Sequence, residues 1–417
     1  MPARSAIFVA TSQVGYTVAM RFVTLLCCVL AIPHSAWGAY RLTDLGSLGG
    51  TSGVDGTSSA SALTDDGVVV GETQIGFFNT HAFIWDEVNG MASLGTLGGS
   101  GDSFAYDIND NREVVGTSNS LPFRWSPHDG IVNIDPTPGS ANGINESGTV
   151  AITRPLPNDS ERVVIRTPDR QLTLPYPFTP IRAVAINDNG EFVGCFTNSD
   201  HGFISDGSAL FVTNPGMVPE DVNHNRQISG AQGLVSAIWD FNAGVTTMLG
   251  HLNPSDTRSR GLGINNAGLV VGESVGTGAF LYNPATSTLV NLTAELAPQF
   301  AGWTVTVAND INENGWIVGD GVLNGVKHAV LLRPIISGDF DGDGVVDATD
   351  LEAWSDSFGV DARGDADGDG VTDGADFLSW QRSITQSVIA VPEPHLMTLG
   401  ASLILIWGLA RGSRRIL

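Results

Sequence analysis

The chain has 417 residues, 51 of them glycine, and a formal net charge of −24. With 20 Lys and Arg against 44 Asp and Glu, it lacks the basic surface that phosphate backbones require, which excludes nucleic acid as a partner. Few charges and much glycine predict an all-β fold rich in turns, long enough to bury a sizeable core without disulfides.

The N-terminus reads as an export leader. Arg21 precedes an apolar stretch from Phe22 to Ile32, followed by Pro33 and by the small residues Ala36 and Gly38. These suit signal-peptidase cleavage before Ala39, so residues 1–38 are expected to be a signal peptide, with Met20 as the true start. Leu26 is too large to precede a lipidated Cys27. Cys27 and Cys28 would leave with the leader, and Cys195 alone cannot form an intramolecular disulfide. It follows Val193-Gly194 in a strand-like segment and reads as a small buried hydrophobe.

Residues 39–335 repeat one phrase. Its clearest form runs Ile264-Asn265-Asn266-Ala267-Gly268-Leu269-Val270-Val271-Gly272, followed by Ala279-Phe280-Leu281. Kindred phrases centre on Thr64, Asn109, Asn145, Asn187, Asn223 and Asn312, which makes seven. Each predicts a strand ending in Ile-Asn, a polar turn such as Asp188-Asn189-Gly190, and a Val-Val-Gly strand. A third strand such as Ala82-Phe83-Ile84-Trp85 and a weaker fourth complete the unit. Four short strands per repeat of about 40 residues predict a propeller blade.

The phase of the repeat favours closure. An orphan fourth strand, Tyr40 to Leu45, precedes the first phrase, and the seventh phrase stops after its third strand, Lys327–Leu332. The orphan fills that vacancy, which predicts a ring of seven blades with protected edges. An open β-solenoid is the alternative and would not need the offset.

Two phrases also carry Leu45-Gly46-Ser47-Leu48-Gly49-Gly50 and Leu94-Gly95-Thr96-Leu97-Gly98-Gly99, and His81-Ala82-Phe83 occurs in the first. Together with Ile-Asn-x-x-Gly-x-Val-Val-Gly, these resemble the extracellular HAF-repeat family. The resemblance implies an exported repeat fold and no particular activity. It departs from the pattern at Ala151-Ile152-Thr153, and Arg112 and Arg226 stand where the turn glycine is expected. His81, His201 and His328 share one repeat position, where a strand histidine bonded to a neighbour is favoured over a ligand ring. The Asp and Asn clusters after each first strand could supply paired carboxylates, but their recurrence in every repeat is what turn chemistry predicts.

After the repeats come two twelve-residue runs, Asp339–Asp350 and Asp365–Asp376, in register 26 residues apart. Both place oxygen ligands at positions 1, 3, 5, 9 and 12, with Gly at position 6 for the turn. The expected ligands are Asp339, Asp341, Asp343, the Val345 carbonyl, Asp347 and Asp350, and Asp365, Asp367, Asp369, the Val371 carbonyl, Asp373 and Asp376. They predict two Ca2+ ions. An exit helix follows each loop. Leu351, Trp354 and Phe358 recur as Phe377, Trp380 and Ile384, one apolar face per helix, so the loops and helices should pack as one twofold unit. Duplicated loops each followed by a single helix are similar to a type I dockerin over residues 336–386. The resemblance implies calcium-dependent folding and a cohesin-like partner. The Ala348-Thr349 and Gly374-Ala375 pairs depart from the selector residues of that family.

The chain ends in Pro392-Glu393-Pro394, an apolar run over 396–410, and Arg411, Arg414 and Arg415. Fifteen helical residues span about 22 Å, short for a hydrocarbon core of about 30 Å, and the basic tail would stay cytoplasmic. This end, 391–417, resembles the PEP-CTERM sorting signal read by an exosortase. A plain C-terminal anchor is the alternative. The expected whole is an all-β, seven-bladed propeller, then a small helical dockerin-like EF-hand pair, then a transmembrane helix. It would be exported to the bacterial envelope, cell surface or matrix as a non-enzymatic binding or scaffold protein for a surface glycan or protein. The alternative is an exported polysaccharide-active enzyme, a glycoside hydrolase or lyase carrying a dockerin.

Overall fold

The computed structural model describes residues 40–387 apart from 50–55, 77–78, 157–159, 169–170, 174–180, 197–200, 213–215, 343–344, 361–363 and 365–370. The leader and the sorting end, with the span expected at 396–410, lie outside the described residues. Among those described, no helix is long and apolar enough to cross a membrane.

The repeats form seven four-stranded antiparallel sheets. Their first strands are Ser58–Leu63, Ser103–Ile108, Ser140–Ile144, Ile181–Ile186, Met217–Val222, Arg258–Ile264 and Trp303–Ile311. Each first strand contacts those of both neighbouring blades, and the seventh contacts the first. The sheets therefore close into a seven-bladed propeller with the first strands innermost. Closure follows the predicted phase. Tyr40–Asp44 pairs antiparallel with Val326–Pro334, with Leu42 opposite Leu332, and supplies the fourth strand of blade 7.

The conserved-looking phrase has a steric basis. Every first strand carries a bulge two residues before its end, as between Ala105 and Asp107 or Gly261 and Gly263. The bulge drives a backbone carbonyl toward the second strand. A Cβ on Gly116 would lie 1.9 Å from the Phe104 oxygen, and one on Gly272 would lie 2.0 Å from the Arg260 oxygen. Glycine thus relieves this close approach in six blades, at Gly71, Gly116, Gly194, Gly230, Gly272 and Gly319. Opposite these glycines stand Phe123 and Phe280, both fully buried. Apolar clusters fill the spaces between successive blades, such as Val70, Ala105, Ile108 and Phe123 between blades 1 and 2. Blade 3 keeps its bulge with Ile152 at this position.

Beyond the ring are two helices, α1 (Ala348–Ser357) and α2 (Gly374–Ser387). Trp354 lies 5.1 Å from Phe377, ring to ring. The Trp354 indole donates to the Asp373 carbonyl at 2.9 Å, and the Trp380 indole donates to the Asp347 carbonyl at 2.7 Å. These reciprocal bonds make the two loop–helix units a twofold pair. Phe358 falls just past the end of α1 and is half-exposed, so it contributes less to the shared face than its spacing predicts.

Candidate functional site

The polar turn after each first strand is where the blades are tied together. The Asn109 amide donates to the Asn145 carbonyl, Asn145 to Asn187, Asn187 to Asn223, Asn223 to Asn265, and Asn265 to Asn312, all at 2.9–3.1 Å. Asn312 then donates to the Thr64 carbonyl at 3.1 Å. The same asparagines close their own turns, as Thr149 N–H to Asn145 Oδ1 at 2.9 Å shows. Thr64 still caps its turn, with Val68 N–H on its hydroxyl at 2.9 Å. It has no amide to offer Asn109, so the belt has one gap.

A second belt runs beside the first, because the next residue's N–H points at the following blade. Asp65 donates to the Asp110 carboxylate, Asp110 to Glu146, and Glu146 to Asp188, at 2.8–3.1 Å. The His224 ring meets Asp188 at 2.8 Å. His224 N–H reaches Asn266, Asn266 N–H reaches Glu313, and Glu313 N–H reaches Asp65, at 2.9–3.0 Å. The turn carboxylates act mainly as blade-to-blade acceptors, a long-range role that the sequence reading as turn chemistry missed. Their equivalents in blades 3 to 7 enclose a cavity of about 160 Å3 at the mouth of the central channel, lined by Glu146, Asp188, His224, Asn266 and Glu313. Burial raises the carboxyls of Glu146 and Glu313 above the ordinary range, and the neighbouring charge of Asp65 adds to both.

Deeper in the channel are three carboxyls that sequence reasoning also missed. Asp107, Asp221 and Asp310 sit just after the bulge in blades 2, 5 and 7, where other blades carry Ala or Gly. Each accepts a backbone N–H from the next blade: Ile144, Ile264 and Leu63, at 2.8, 3.0 and 3.2 Å. They are partly reached by water yet enclosed by protein, as channel-wall groups are. Burial pushes Asp107 up to about 8, Asp221 to about 7 and Asp310 to about 6. The charge of Asp310 raises the first two further, and N–H donors offset part of the rise.

Two of the histidines at the shared repeat position, His81 and His328, behave as strand residues, while His201 lies just before its strand. His81 bonds Ser93 at 3.0 Å, and His328 bonds Asp44 at 2.9 Å, each reaching the outer strand of its own blade. Cys195 is buried, which holds its thiol up. Arg112 and Arg226 do occupy the turn-glycine position, both at φ 61°. Each spends that left-handed backbone on an ion pair to the preceding blade, Arg112 to Asp66 and Arg226 to Glu191.

Of the predicted metal ligands, Asp339, Asp341 and Asp350 converge, with carboxylate oxygens within 4.8 Å of one another. That all-oxygen cluster can hold a hard cation. Asp350 is fully buried, and burial, then the Asp341 charge, push its carboxyl up, a cost that a bound cation offsets. Gly342, at φ 79°, turns the chain between ligands, and a Cβ there would meet Arg41 at 2.8 Å. The loop thus packs on the ring-closing strand. Asp347 has a different task. It caps α1 through Thr349 N–H at 2.8 Å, while Asp350 accepts the Asp347 N–H at 2.7 Å. Asp373 and Asp376 repeat this at α2. Val345 and Val371 are exposed. Asp343, Asp365, Asp367 and Asp369 lie outside the described residues, as do Pro392, Glu393, Pro394, Arg411, Arg414 and Arg415.

No family model matches the chain, and no curated protein does. Among solved structures, it is similar to an oligogalacturonate lyase in complex with manganese, at 11% identity over 66% of this chain and 88% of that one, TM-score 0.47. It is also similar to a virginiamycin B lyase from Staphylococcus aureus, at 12% identity over 71% and 100%, TM-score 0.47. The WD40 repeats of RRP9 match at 12% identity over 71% and 98%, TM-score 0.49. Similarity at this level says nothing about chemistry.

Proposed function

We propose that the chain is an exported, non-enzymatic binding or scaffold propeller of a bacterial surface or matrix. A dockerin-like pair of loops would bind two Ca2+ ions and join the propeller to a PEP-CTERM sorting end. The observation that carries the reading is what the axial carboxylates do. Asp107, Asp110, Glu146, Asp188, Asp221, Asp310 and Glu313 all take hydrogen bonds or ion pairs from a neighbouring blade. Carboxylates committed to holding the ring suit a rigid platform better than acid–base catalysis, which needs one group to give and take protons freely. In the paired loops, the Asp339 cluster and the reciprocal Trp354 and Trp380 bonds support a small unit whose folding draws on the metal.

The discriminating experiment incubates the purified full chain with a panel of extracellular polysaccharides and surface proteins. Retention of a polymer without shortening it fits the proposal. Reproducible release of new chain ends would favour the enzyme alternative instead.

A further inference from the structure

The seven blades allow an internal comparison. In each, one residue of the first strand faces one residue of the second across the bulge-side ladder. Blades 1 and 6 both place glutamate on the second strand there, Glu72 and Glu273. Glu273 faces Arg260, which binds it at 2.8 Å. Glu72 faces Ser59, and the Ser59 hydroxyl is spent on Asp320 of blade 7 at 2.6 Å. Where blade 6 has a guanidinium, blade 1 has a cavity of about 190 Å3, lined by Thr57, Ser59, Glu72, Thr73, Asn79 and Lys327.

Lys327 does not replace the missing arginine. Its ammonium bonds Asp320 at 3.2 Å, which leaves two carboxylates and one cation around the space. Burial raises the Glu72 carboxyl, Lys327 lowers it and Asp320 raises it. The uncompensated charge is therefore one negative, at Glu72.

We propose that this cavity between blades 1 and 7 binds a guanidinium group, as an arginine side chain of a partner or as a small guanidino compound. A planar guanidinium would pair with Glu72 as Arg260 pairs with Glu273, and the surrounding hydroxyls and the Asn79 amide would take its outer edge. The inference rests on the propeller being a binding body and is independent of calcium.

The test titrates methylguanidinium onto the full chain at neutral pH by calorimetry or NMR. The expected result is saturable one-site binding, weakened at least about tenfold by Glu72→Gln and unaffected by Glu273→Gln. Ser59→Arg should abolish it while keeping the melting temperature at or above the native value, because the new side chain fills the cavity as Arg260 does in blade 6. If that variant fails to fold, Glu72→Gln still decides. An arginine-containing peptide binding more tightly than methylguanidinium identifies a partner side chain as the source, and equal binding identifies a free guanidino compound. Absence of saturable binding, or equal binding by native chain and Glu72→Gln, overturns the proposal. If the polymer panel is still retained in that case, only this inference falls.

Discussion

Replacing Asn145 with Ala tests whether the belt holds the ring. Asn145 is 3% exposed. Its amide donates to the Asn187 carbonyl at 3.0 Å, and its oxygen accepts from Thr149 N–H at 2.9 Å and from Ser147 at 2.8 Å. The Asn187 carbonyl keeps a bond from Gly190, so its loss is one net hydrogen bond, about 0.5–1.5 kcal/mol. The Thr149 N–H is left buried without an acceptor, at about 1–3 kcal/mol. The expected cost is about 1.5–4.5 kcal/mol, or about 3–9 °C at roughly 2 °C per kcal/mol for a domain of this size. Urea unfolding followed by tryptophan fluorescence measures it. Asn111→Ala is the control. Its amide also crosses to the next blade, reaching the Glu146 carbonyl at 3.2 Å, but from an exposed position, and it should stay within about 0.5 kcal/mol of the native chain. The converse variant, Thr64→Asn, supplies the missing amide and should gain about 0.5–1.5 kcal/mol. An Asn145→Ala variant as stable as Asn111→Ala would refute the reasoning, because the inter-blade bonds would then carry no net stability.

Three further outcomes follow from the same geometry. The folded-state pKa values of Asp107, Asp221 and Asp310 lie above the ordinary carboxylate range. Their contribution to stability is therefore full only below the ordinary carboxylate pKa of about 4, and it is lost progressively as pH rises from there through their folded values. The melting temperature should fall from about pH 5 to 8, and Asp107→Ala should flatten that slope; an unchanged slope would mean that Asp107 does not titrate in this range. At the left-handed turn, Arg226→Gly loses the Glu191 pair but relieves the backbone, whereas Arg226→Ala loses the pair and keeps the strain. Alanine should therefore be the more damaging by about 1 kcal/mol, and equal unfolding midpoints would contradict the strain argument. Gly342→Ala should weaken calcium binding to the first loop, because the residue sits at φ 79° against Arg41. Native mass spectrometry with unchanged calcium retention would argue that the loop tolerates the change.

Much of the architecture was legible because it depends on local signals. The offset between Tyr40–Leu45 and Lys327–Leu332 predicted the closing pair, and the Ile-Asn turn and Val-Val-Gly strand predicted the hairpin. The belt was not legible. Asn145 has a sufficient local explanation in its own turn, and its second partner lies 42 residues away. Asp107, Asp221 and Asp310 occur in three blades only, so no repeat pattern marks them, and only the bulge aims them at the next blade. The cavity at Glu72 became visible once the register set Ser59 against it while Arg260 faced its twin. In the first Asp loop, spacing grouped Asp339, Asp341 and Asp350, whose carboxylates converge. It could not distinguish a ligand at position 9 from a helix cap, because Asp347 suits both tasks.

The chain's clearest chemistry lies in the paired Asp loops, where Asp339, Asp341 and Asp350 converge. The most direct measurement is the calcium stoichiometry of the full chain by native mass spectrometry, paired with far-ultraviolet circular dichroism before and after chelation. Two calcium ions per chain, one of them lost in Asp350→Asn, with helical signal that falls on chelation and returns on re-addition, is the predicted result. A chain that retains no calcium and shows the same helical signal with and without chelator would contradict it.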